Sequence, residues 1–239
     1  AGSVVDALEG LRMMERGLVE LYGRSAPAVV IVDVVVGKEI GDGEEGAGKE
    51  GVLRSEGSGF VVQANGVVVT NAHVVAGAQQ ITVRFRDGRR FVGRLVGVDE
   101  RTDIAVLQID ATGLPVLAFG ASDRLRVGQW VCAIGTPFNQ EWSFTGGMIS
   151  GLGRSRLLGP ASAVPLFEDY IQTDALISPG HSGGPLLNTE GKVVGMNTLV
   201  ARYERGLAFA VPSYVVERTY QQILEKGKVF YPWLGIRVE

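Results

Sequence analysis

The 239-residue sequence contains few of the residues that form disulfides or bind zinc. It has one cysteine, Cys132, and two histidines, His73 and His181. A single cysteine excludes an internal disulfide, and so few ligands nearly exclude a zinc site of the usual His/Cys kind. Cys132 lies in an apolar run over residues 130–134, so we expect it to be a buried hydrophobe. No phosphate-binding loop is present either, and we expect neither a metal nor another cofactor.

Long apolar runs and an excess of one charge are also missing. The longest apolar stretch, residues 28–36, is interrupted by Asp33 and is far shorter than the roughly 20 residues of a membrane helix. No basic segment followed by an apolar one, as in a signal peptide, opens the sequence. The net charge of −3 predicts no bulk affinity for nucleic acid or anionic lipid.

Glycine is abundant instead, with 34 glycines against 9 prolines, which favours tight turns between short strands. Strand-like segments bounded by turn residues recur along the chain. They form two sets of about six, divided near residues 111–125, and this arrangement predicts two β-barrels. The predicted strands are 29–36, 59–62, 66–70, 80–85, 90–98 and 104–109, then 129–134, 142–150, 170–173, 184–187, 193–197 and 207–211.

Apolar residues recur at helical spacing at both ends of the chain, in residues 3–22 and 213–227. We expect the stripe on the first helix to pack on its own barrel, with a contact to another subunit as the alternative; its members are Val4, Leu8, Leu11, Leu18 and Tyr22. Residues 37–57 contain seven glycines and six acidic residues, which predicts a long, mobile, acidic loop.

A serine enclosed by glycines, Ser182 in Gly180–Pro185, is a candidate nucleophile. A serine hydroxyl needs a base within hydrogen-bond reach, and the base needs an orienting carboxylate. His73 is the better base, because His181 adjoins Ser182 and successive side chains usually diverge. The candidate carboxylates flank the run 104–109 and are Asp99, Asp103 and Asp110; Asp103 stands at the strand entrance, where it can point inward.

The glycines around Ser182 permit the tight turn of an oxyanion hole, whose donors would be the N–H groups of Gly180 and Ser182. The same segment matches the G-x-S-x-G elbow of α/β-hydrolases, but in those enzymes a histidine follows the serine, and none follows Ser182 here. A subtilisin-type order (Asp, His, Ser) would need an acid before His73 and a chain rich in crossover helices. This chain lacks such helices. The order His, Asp, Ser on β-barrels is therefore favoured.

Three segments resemble the catalytic blocks of the HtrA/DegP-type serine proteases; they are residues 70–75, 102–107 and 180–186. Residues 172–175, 195–198 and 209–213 are also similar, and the resemblance extends from about Ser25 to Glu239. It implies an all-β, chymotrypsin-like fold of two six-stranded β-barrels with an N-terminal and a C-terminal helix. It also implies that His73, Asp103 and Ser182 form a catalytic triad in the cleft between the barrels.

The resemblance also implies a domain organisation. Residues 1–24 would be an N-terminal helical segment, and residues 25–228 the protease domain. Within that domain, barrel one would span about 25–118, barrel two about 121–212 and the C-terminal helix 213–227. Residues 229–239 would begin a linker toward a PDZ domain that the sequence does not contain.

By position, the family's specificity pocket would be lined by Ile177, Val200 and Ala201, which suits small aliphatic side chains before the scissile bond. Segments 152–168, 175–181 and 201–206 would be the loops that switch the site on and off. The implied function is an ATP-independent endopeptidase that degrades unfolded or damaged polypeptides as a homotrimer or higher oligomer. Its compartment would be the bacterial periplasm or envelope, or an organelle of bacterial origin.

Two other functions fit the same sequence. One is a chaperone-like binding protein on this scaffold, with latent peptidase activity. The other is a dedicated processing protease with one partner. Position 181 departs from the family, because His stands where Asn is usual. We hypothesise that protonation of His181 biases the turn at Gly180 and adds a pH dependence beyond that of His73.

Overall fold

The computed structural model describes residues 4–38, 51–136, 142–155, 169–198 and 207–231. These residues form two helices, two short 3-10 helices and two β-sheets. Helix α1 spans Val4–Ser25 and helix α2 spans Ser213–Lys226, and the short 3-10 helices are Ala26–Ala28 and Ser122–Arg124. The fold is thus mostly β with one helix near each end, as the sequence predicts.

The first sheet has seven antiparallel strands in the order β5-β4-β1-β2-β3-β7-β6. They are β1 (Val29–Lys38), β2 (Gly51–Gln63), β3 (Val67–Thr70), β4 (Ala78–Phe85), β5 (Arg90–Val92), β6 (Arg94–Asp99) and β7 (Ile104–Gln108). The segment 90–98, predicted as one strand, is split at Gly93, so the sheet has seven strands where about six are predicted. The Gly93 N–H bonds Ile81 O at 2.9 Å, and a Cβ on Gly93 would lie 2.9 Å from Ile81 Cγ2. The edge strands β5 and β6 are thus consecutive in the chain.

Strands β1 and β2 form a long antiparallel pair that runs from Val29 opposite Phe60 to Lys38 opposite Gly51. The prediction of a loop over 37–57 is therefore wrong for residues 37–38 and 51–57, which are strand. Their polar composition suggested a loop, but the backbone hydrogen bonds between β1 and β2 do not depend on side-chain polarity. Residues 39–50 lie outside the described part of the chain.

The second sheet is a closed barrel of six strands in the order β10-β13-β12-β11-β8-β9. They are β8 (Trp130–Gly135), β9 (Ser143–Arg154), β10 (Tyr170–Thr173), β11 (Pro185–Asn188), β12 (Val193–Thr198) and β13 (Ala208–Pro212). Closure removes free strand edges, and it agrees with the six-stranded barrel that the sequence predicts.

The largest hydrophobic cluster joins the two sheets. Phe60 and Ile104 from the first sheet share it with Ile134 and Met196 from the second. Helix α2 adds its apolar face to the same cluster, through Val215, Val216, Tyr220 and Ile223. The helix ends where Gly227, with φ 72°, donates its N–H to Ile223 O. The core thus fixes how the two sheets face each other, and so fixes the cleft between them.

Helix α1 contacts the rest of the molecule mainly through its last two turns. Leu21 and Ser25 are buried, whereas Leu8 and Leu11 are 49% and 64% exposed. The expectation that the whole apolar stripe packs on the parent barrel is wrong for these two leucines, because α1 projects beyond the barrel at that end. Within the described ranges, neither helix is long and apolar enough to cross a membrane.

Candidate active site

His73 and Asp103 form a close pair at the edge of the first sheet. His73 follows β3, Asp103 precedes β7, and these strands are hydrogen-bonded neighbours. His73 Nδ1 lies 2.8 Å from Asp103 Oδ2, and the His73 backbone N–H donates to Asp103 Oδ1 at 3.0 Å. The imidazole is about half exposed, whereas the carboxylate is mostly covered. An Nδ1–H donated to Asp103 leaves Nε2 of His73 as the lone-pair nitrogen.

The position of Asp103 is fixed by its backbone and by a residue from the second barrel. Its φ of 57° lies in a region that non-glycine residues rarely adopt. Its carbonyl accepts the Ala72 N–H at 3.1 Å and Asn71 Nδ2 at 2.9 Å. The Thr198 hydroxyl, at the end of β12, donates to Asp103 Oδ2 at 3.1 Å. The sequence interpretation gave Thr198 no role, because the two residues are 95 positions apart.

The other two candidate aspartates have different surroundings. Asp99 is buried, and its Oδ2 accepts the hydroxyls of Thr102, at 2.5 Å, and of Tyr231. Asp110 is exposed at the far end of β7. Of the three carboxylates that flank this strand, Asp103 is the one that contacts His73.

Ser182 lies in the glycine-rich turn before β11, pressed against β2 of the first sheet. It is 5% exposed, and its carbonyl accepts the Ser58 N–H at 2.8 Å. The next residue, Gly183, has φ 84° and donates its N–H to Asn197 O at 2.9 Å. A Cβ on Gly183 would overlap Ser58 O and the Thr70 hydroxyl, so the turn requires glycine here for both conformation and space.

Residues Ser178–His181 form a type II turn just before Ser182. The His181 N–H donates to Ser178 O at 2.9 Å, Pro179 occupies the second position and Gly180 the third, with φ 103°. The Gly180 carbonyl is held away from the cleft by the Ser58 hydroxyl at 2.6 Å. Among the described residues, nothing accepts a hydrogen bond from the N–H of Gly180 or of Ser182. Two backbone donors two residues apart are therefore available to an anion.

Ser58 is a functional candidate that the sequence interpretation missed. Its hydroxyl donates to Gly180 O and accepts the Thr136 N–H at 3.1 Å, and its carbonyl accepts the Thr70 hydroxyl at 2.6 Å. Its partner Gly180 is 122 positions away, so local sequence gives no signal of the contact. The extended backbone of β2 and the space left by Gly183 allow the two sheets to approach closely at this point.

The segments that carry His73 and Ser182 lie against each other, because Gly183 abuts Thr70 and Asn71, which lead into His73. No hydrogen bond joins Ser182 to His73 among the described residues. Catalytic hydrogen bonds are often long in unliganded enzymes and shorten when substrate binds. A cavity of ≈ 430 Å³ opens beside His73 and Asp103, and its lining also includes Leu95, Val98 and Glu100.

The predicted specificity pocket is only partly described. Ile177 is half-buried and packs against the core of the second barrel. Val200 and Ala201 lie outside the described residues. Most of segments 152–168 and all of 201–206 do so as well, whereas 175–181 is described and contains the type II turn.

Residues 57–196 match the family of the trypsin-like peptidase domain. Among curated proteins, a "Probable periplasmic serine endoprotease DegP-like" from Marinomonas sp. is 44% identical over 202 residues, which is 82% of this chain and 41% of that protein. A protein of the same name from Ectopseudomonas mendocina is 40% identical over 97% of this chain and 45% of its own length. The chain thus spans less than half the length of these relatives.

Solved structures give the same result. The HtrA-type protease AlgW with a decapeptide superposes with a TM-score of 0.79 at 36% identity, over 93% of this chain and 72% of that chain. A serine endoprotease from Yersinia pestis superposes with a TM-score of 0.74 at 34% identity, over 92% of this chain and 71% of that chain.

Proposed function

This chain belongs to the HtrA-type family of trypsin-like serine proteases, and from that premise we propose that it is a serine endopeptidase with Ser182 as nucleophile. The observation that supports this most strongly is the 2.8 Å contact between His73 Nδ1 and Asp103 Oδ2, beside the turn that carries Ser182. A base, its orienting carboxylate and a serine in one cleft are the parts that acyl transfer needs.

In the proposed reaction, His73 Nε2 removes the proton from Ser182 Oγ as that oxygen attacks the scissile carbonyl. Asp103 holds the Nδ1–H tautomer and stabilises the imidazolium that forms. Three donors fix the Asp103 carboxylate: the His73 ring, the His73 backbone N–H and the Thr198 hydroxyl. The carboxylate is therefore oriented before substrate arrives, and no reorganisation is needed during the reaction.

The N–H groups of Gly180 and Ser182 are the proposed oxyanion donors. The carbonyl oxygen of the substrate becomes an alkoxide in the tetrahedral intermediate, and two converging N–H groups stabilise that charge. His73 then delivers its proton to the leaving amine, and the acyl group remains on Ser182 until water displaces it through the same steps. Each donor is expected to contribute about 10²- to 10³-fold in kcat.

We extend the proposal to substrate and setting. The substrates are unfolded or damaged polypeptides in protein quality control, cleaved without ATP after small aliphatic residues that contact Ile177, Val200 and Ala201. The peptide bound to the related AlgW supports a polypeptide substrate, and the names of the curated relatives support the periplasm. The apolar residues exposed on α1 support a homo-oligomer, in which a trimer is the expected unit. Neither a metal nor a nucleotide has a step in this mechanism.

Covalent labelling tests the nucleophile. A fluorophosphonate probe is expected to label the wild-type chain, more strongly with unfolded casein present, and to leave the Ser182→Ala variant unlabelled. The same variant is expected to stop casein cleavage while still binding it. Absence of labelling at every pH and temperature tried would favour the chaperone-like function. Very few cleavage sites in a mixed unfolded proteome would favour a dedicated processing protease.

A further inference from the structure

His181 is a fully buried histidine directly under the proposed oxyanion turn. Its exposed fraction is 0%, and the ring lies against Gly135 at the end of β8. A Cβ on Gly135 would be 2.9 Å from His181 Cδ2, so the missing side chain of Gly135 leaves the space that the imidazole fills. Ser58 Oγ borders the same space. The packing holds the ring in one orientation.

Two hydrogen bonds join His181 to Ser178 and close the turn. The His181 backbone N–H donates to Ser178 O at 2.9 Å, and the Ser178 backbone N–H donates to His181 Nδ1 at 3.2 Å. The first bond is that of any β-turn. The second exists because a side chain at position 181 carries an acceptor two bonds from its Cβ. Gly180, whose N–H is a proposed oxyanion donor, lies between the two bonded residues.

The second bond fixes the protonation state of the ring. An Nδ1 that accepts an N–H cannot carry a proton, so the neutral ring has its proton on Nε2. Nε2 has no hydrogen-bond partner among the described residues, although it is buried. Protonation of Nδ1 would place an N–H against the Ser178 N–H, and the turn would have to open.

We propose that neutral His181, with its proton on Nε2, is a positioning residue that holds the Ser178–His181 turn in the form that presents the Gly180 N–H to the oxyanion. The inference rests on the proposed function, since it concerns the same site. It is specific to this chain's imidazole, and it makes protonation of that ring an off-switch on the acid side.

The electrostatic surroundings agree with a neutral ring. Burial lowers the pKa of His181 below its ordinary value, and this effect outweighs that of the backbone contact with Ser178, which acts in the opposite direction. Gly135 from β8, Ser58 from β2 and Ser178 in its own turn border the ring, and none of them is titratable. No charged group among the described residues acts on the pKa of this imidazole. The only other histidine, His73, is bonded to Asp103. No described charge therefore stabilises an imidazolium at position 181.

Substitutions of His181 by asparagine, glutamine and leucine distinguish the effect of the hydrogen-bond acceptor from the effect of side-chain size. Asn places its Oδ1 two bonds from Cβ, as His places Nδ1, so His181→Asn can keep the bond from Ser178. Gln places its oxygen one bond further out, and Leu fills space without any acceptor. If the acceptor matters, His181→Asn retains activity that His181→Leu and His181→Gln lose.

The first test observes the ring directly in the 239-residue chain. Long-range 1H–15N spectra of the two imidazoles, assigned with His73→Ala, are expected to show His181 unprotonated at Nδ1 and protonated at Nε2 at pH 7. The state is expected to persist below pH 6.5, the ordinary value for histidine. A proton on Nδ1 at neutral pH would overturn the proposal. Because Ser182→Ala can carry the same measurement, its result does not depend on catalysis.

The second test uses kinetics on a peptide substrate at pH 8. His181→Leu is expected to lower kcat about 10²-fold with little change in KM, as for loss of one oxyanion donor, and His181→Asn to recover most of that loss. Equal kcat values for the Leu and Asn variants, once both are shown to be folded by circular dichroism, would contradict the proposal.

The pH profile is the readout that a purely structural role would not change. Below both histidine ionisations, log(kcat/KM) of the wild type is expected to fall with a slope of about 2, and that of His181→Asn with a slope of about 1. Equal slopes would overturn the off-switch. A wild type that never labels with fluorophosphonate would instead refute the proposed function, while the imidazole spectra would still decide how the turn is held.

Discussion

At the residue scale, Asp103 combines a rare backbone conformation with the contact to His73. A left-handed φ at a non-glycine residue costs about 1–2 kcal/mol, and Asn and Asp tolerate it best. The Ala72 N–H and the Asn71 amide, both bonded to the Asp103 carbonyl, hold this conformation. The strained backbone thus belongs to the residue whose carboxylate contacts His73. Strained residues tend to cluster at functional sites.

Asp103→Asn is therefore expected to keep the turn and lose the orienting charge. We expect kcat to fall about 10⁴-fold, because an amide cannot hold the required tautomer of His73, with a small change in melting temperature. Asp110→Asn, at the other end of the same strand, is the matched control and should leave kcat unchanged. Peptide hydrolysis and thermal unfolding measure the two effects, and a tenfold loss or less would place the orienting acid elsewhere.

Alanine substitutions at Gly183 and Gly113 distinguish the cost of backbone strain from the cost of a steric overlap. Both have a positive φ, but only Gly183 has neighbours that a Cβ would overlap. Gly113→Ala is expected to lower the free energy of unfolding by about 1 kcal/mol, the cost of the left-handed conformation. Gly183→Ala adds the overlap with Ser58 and Thr70 and is expected to cost several kcal/mol or to prevent folding. Urea denaturation of both variants checks this, and equal losses would contradict it.

At the scale of elements, strands with β-branched runs were predictable and polar ones were not. The segment Tyr170–Thr173 has the predicted bounds, because its aromatic and β-branched residues favour a strand. Residues 51–57 and the break at Gly93 were missed, because their structure depends on pairing with β1 and on close approach to Ile81.

The contact of His73 with Asp103 follows from short motifs. Ser58 and Thr198 join the site across 122 and 95 positions, so no local pattern identifies them.

The segment after α2 is tied to the turn that carries Asp103. The Tyr231 hydroxyl donates to buried Asp99, and the Arg101 guanidinium lies 4.5 Å from the centre of the Tyr231 ring. Tyr231→Phe keeps the ring and removes the donor, so the free energy of unfolding is expected to fall by about 1 kcal/mol. Tyr214→Phe, whose hydroxyl bonds Asp169 away from this turn, is the control for loss of a tyrosine hydroxyl. Only Tyr231→Phe is expected to lower kcat as well, through displacement of Asp103.

At the scale of the whole molecule, the site is a junction between the two sheets. His73 and Asp103 come from the first and Ser182 from the second, and the Ser58 and Thr198 bonds cross between them. Under the proposed function, we expect activity to depend on how the two sheets pack together as well as on the structure of each sheet. The domain boundaries at residues 24, 118 and 228 remain predictions that limited proteolysis can test.

The exposed face of α1 predicts association of whole chains. An apolar cavity of ≈ 520 Å³ is lined by α1 residues and by Phe144 from β9. A double variant, Leu11→Glu with Val19→Glu, is expected to lower the mass measured by light scattering toward that of one chain. Arg12→Gln changes a charge on the same helix without changing apolar area and should leave the mass unchanged. An unaltered mass in the double variant would place the subunit contact elsewhere.

The buried cysteine makes the docking of α1 measurable. Cys132 is 2% exposed, burial raises its pKa to about 11, and it lines a small cavity with Met14, Leu18 and Leu21 of α1. A thiol reagent requires an accessible thiolate, so modification of Cys132 in the native chain is expected to be slow. It is expected to be faster under conditions in which α1 detaches from the second sheet. Since the sequence has one cysteine, the rate refers to a single position. The rate at which Cys132 is modified therefore reports how often α1 detaches from the barrel, and no cysteine needs to be introduced for the measurement.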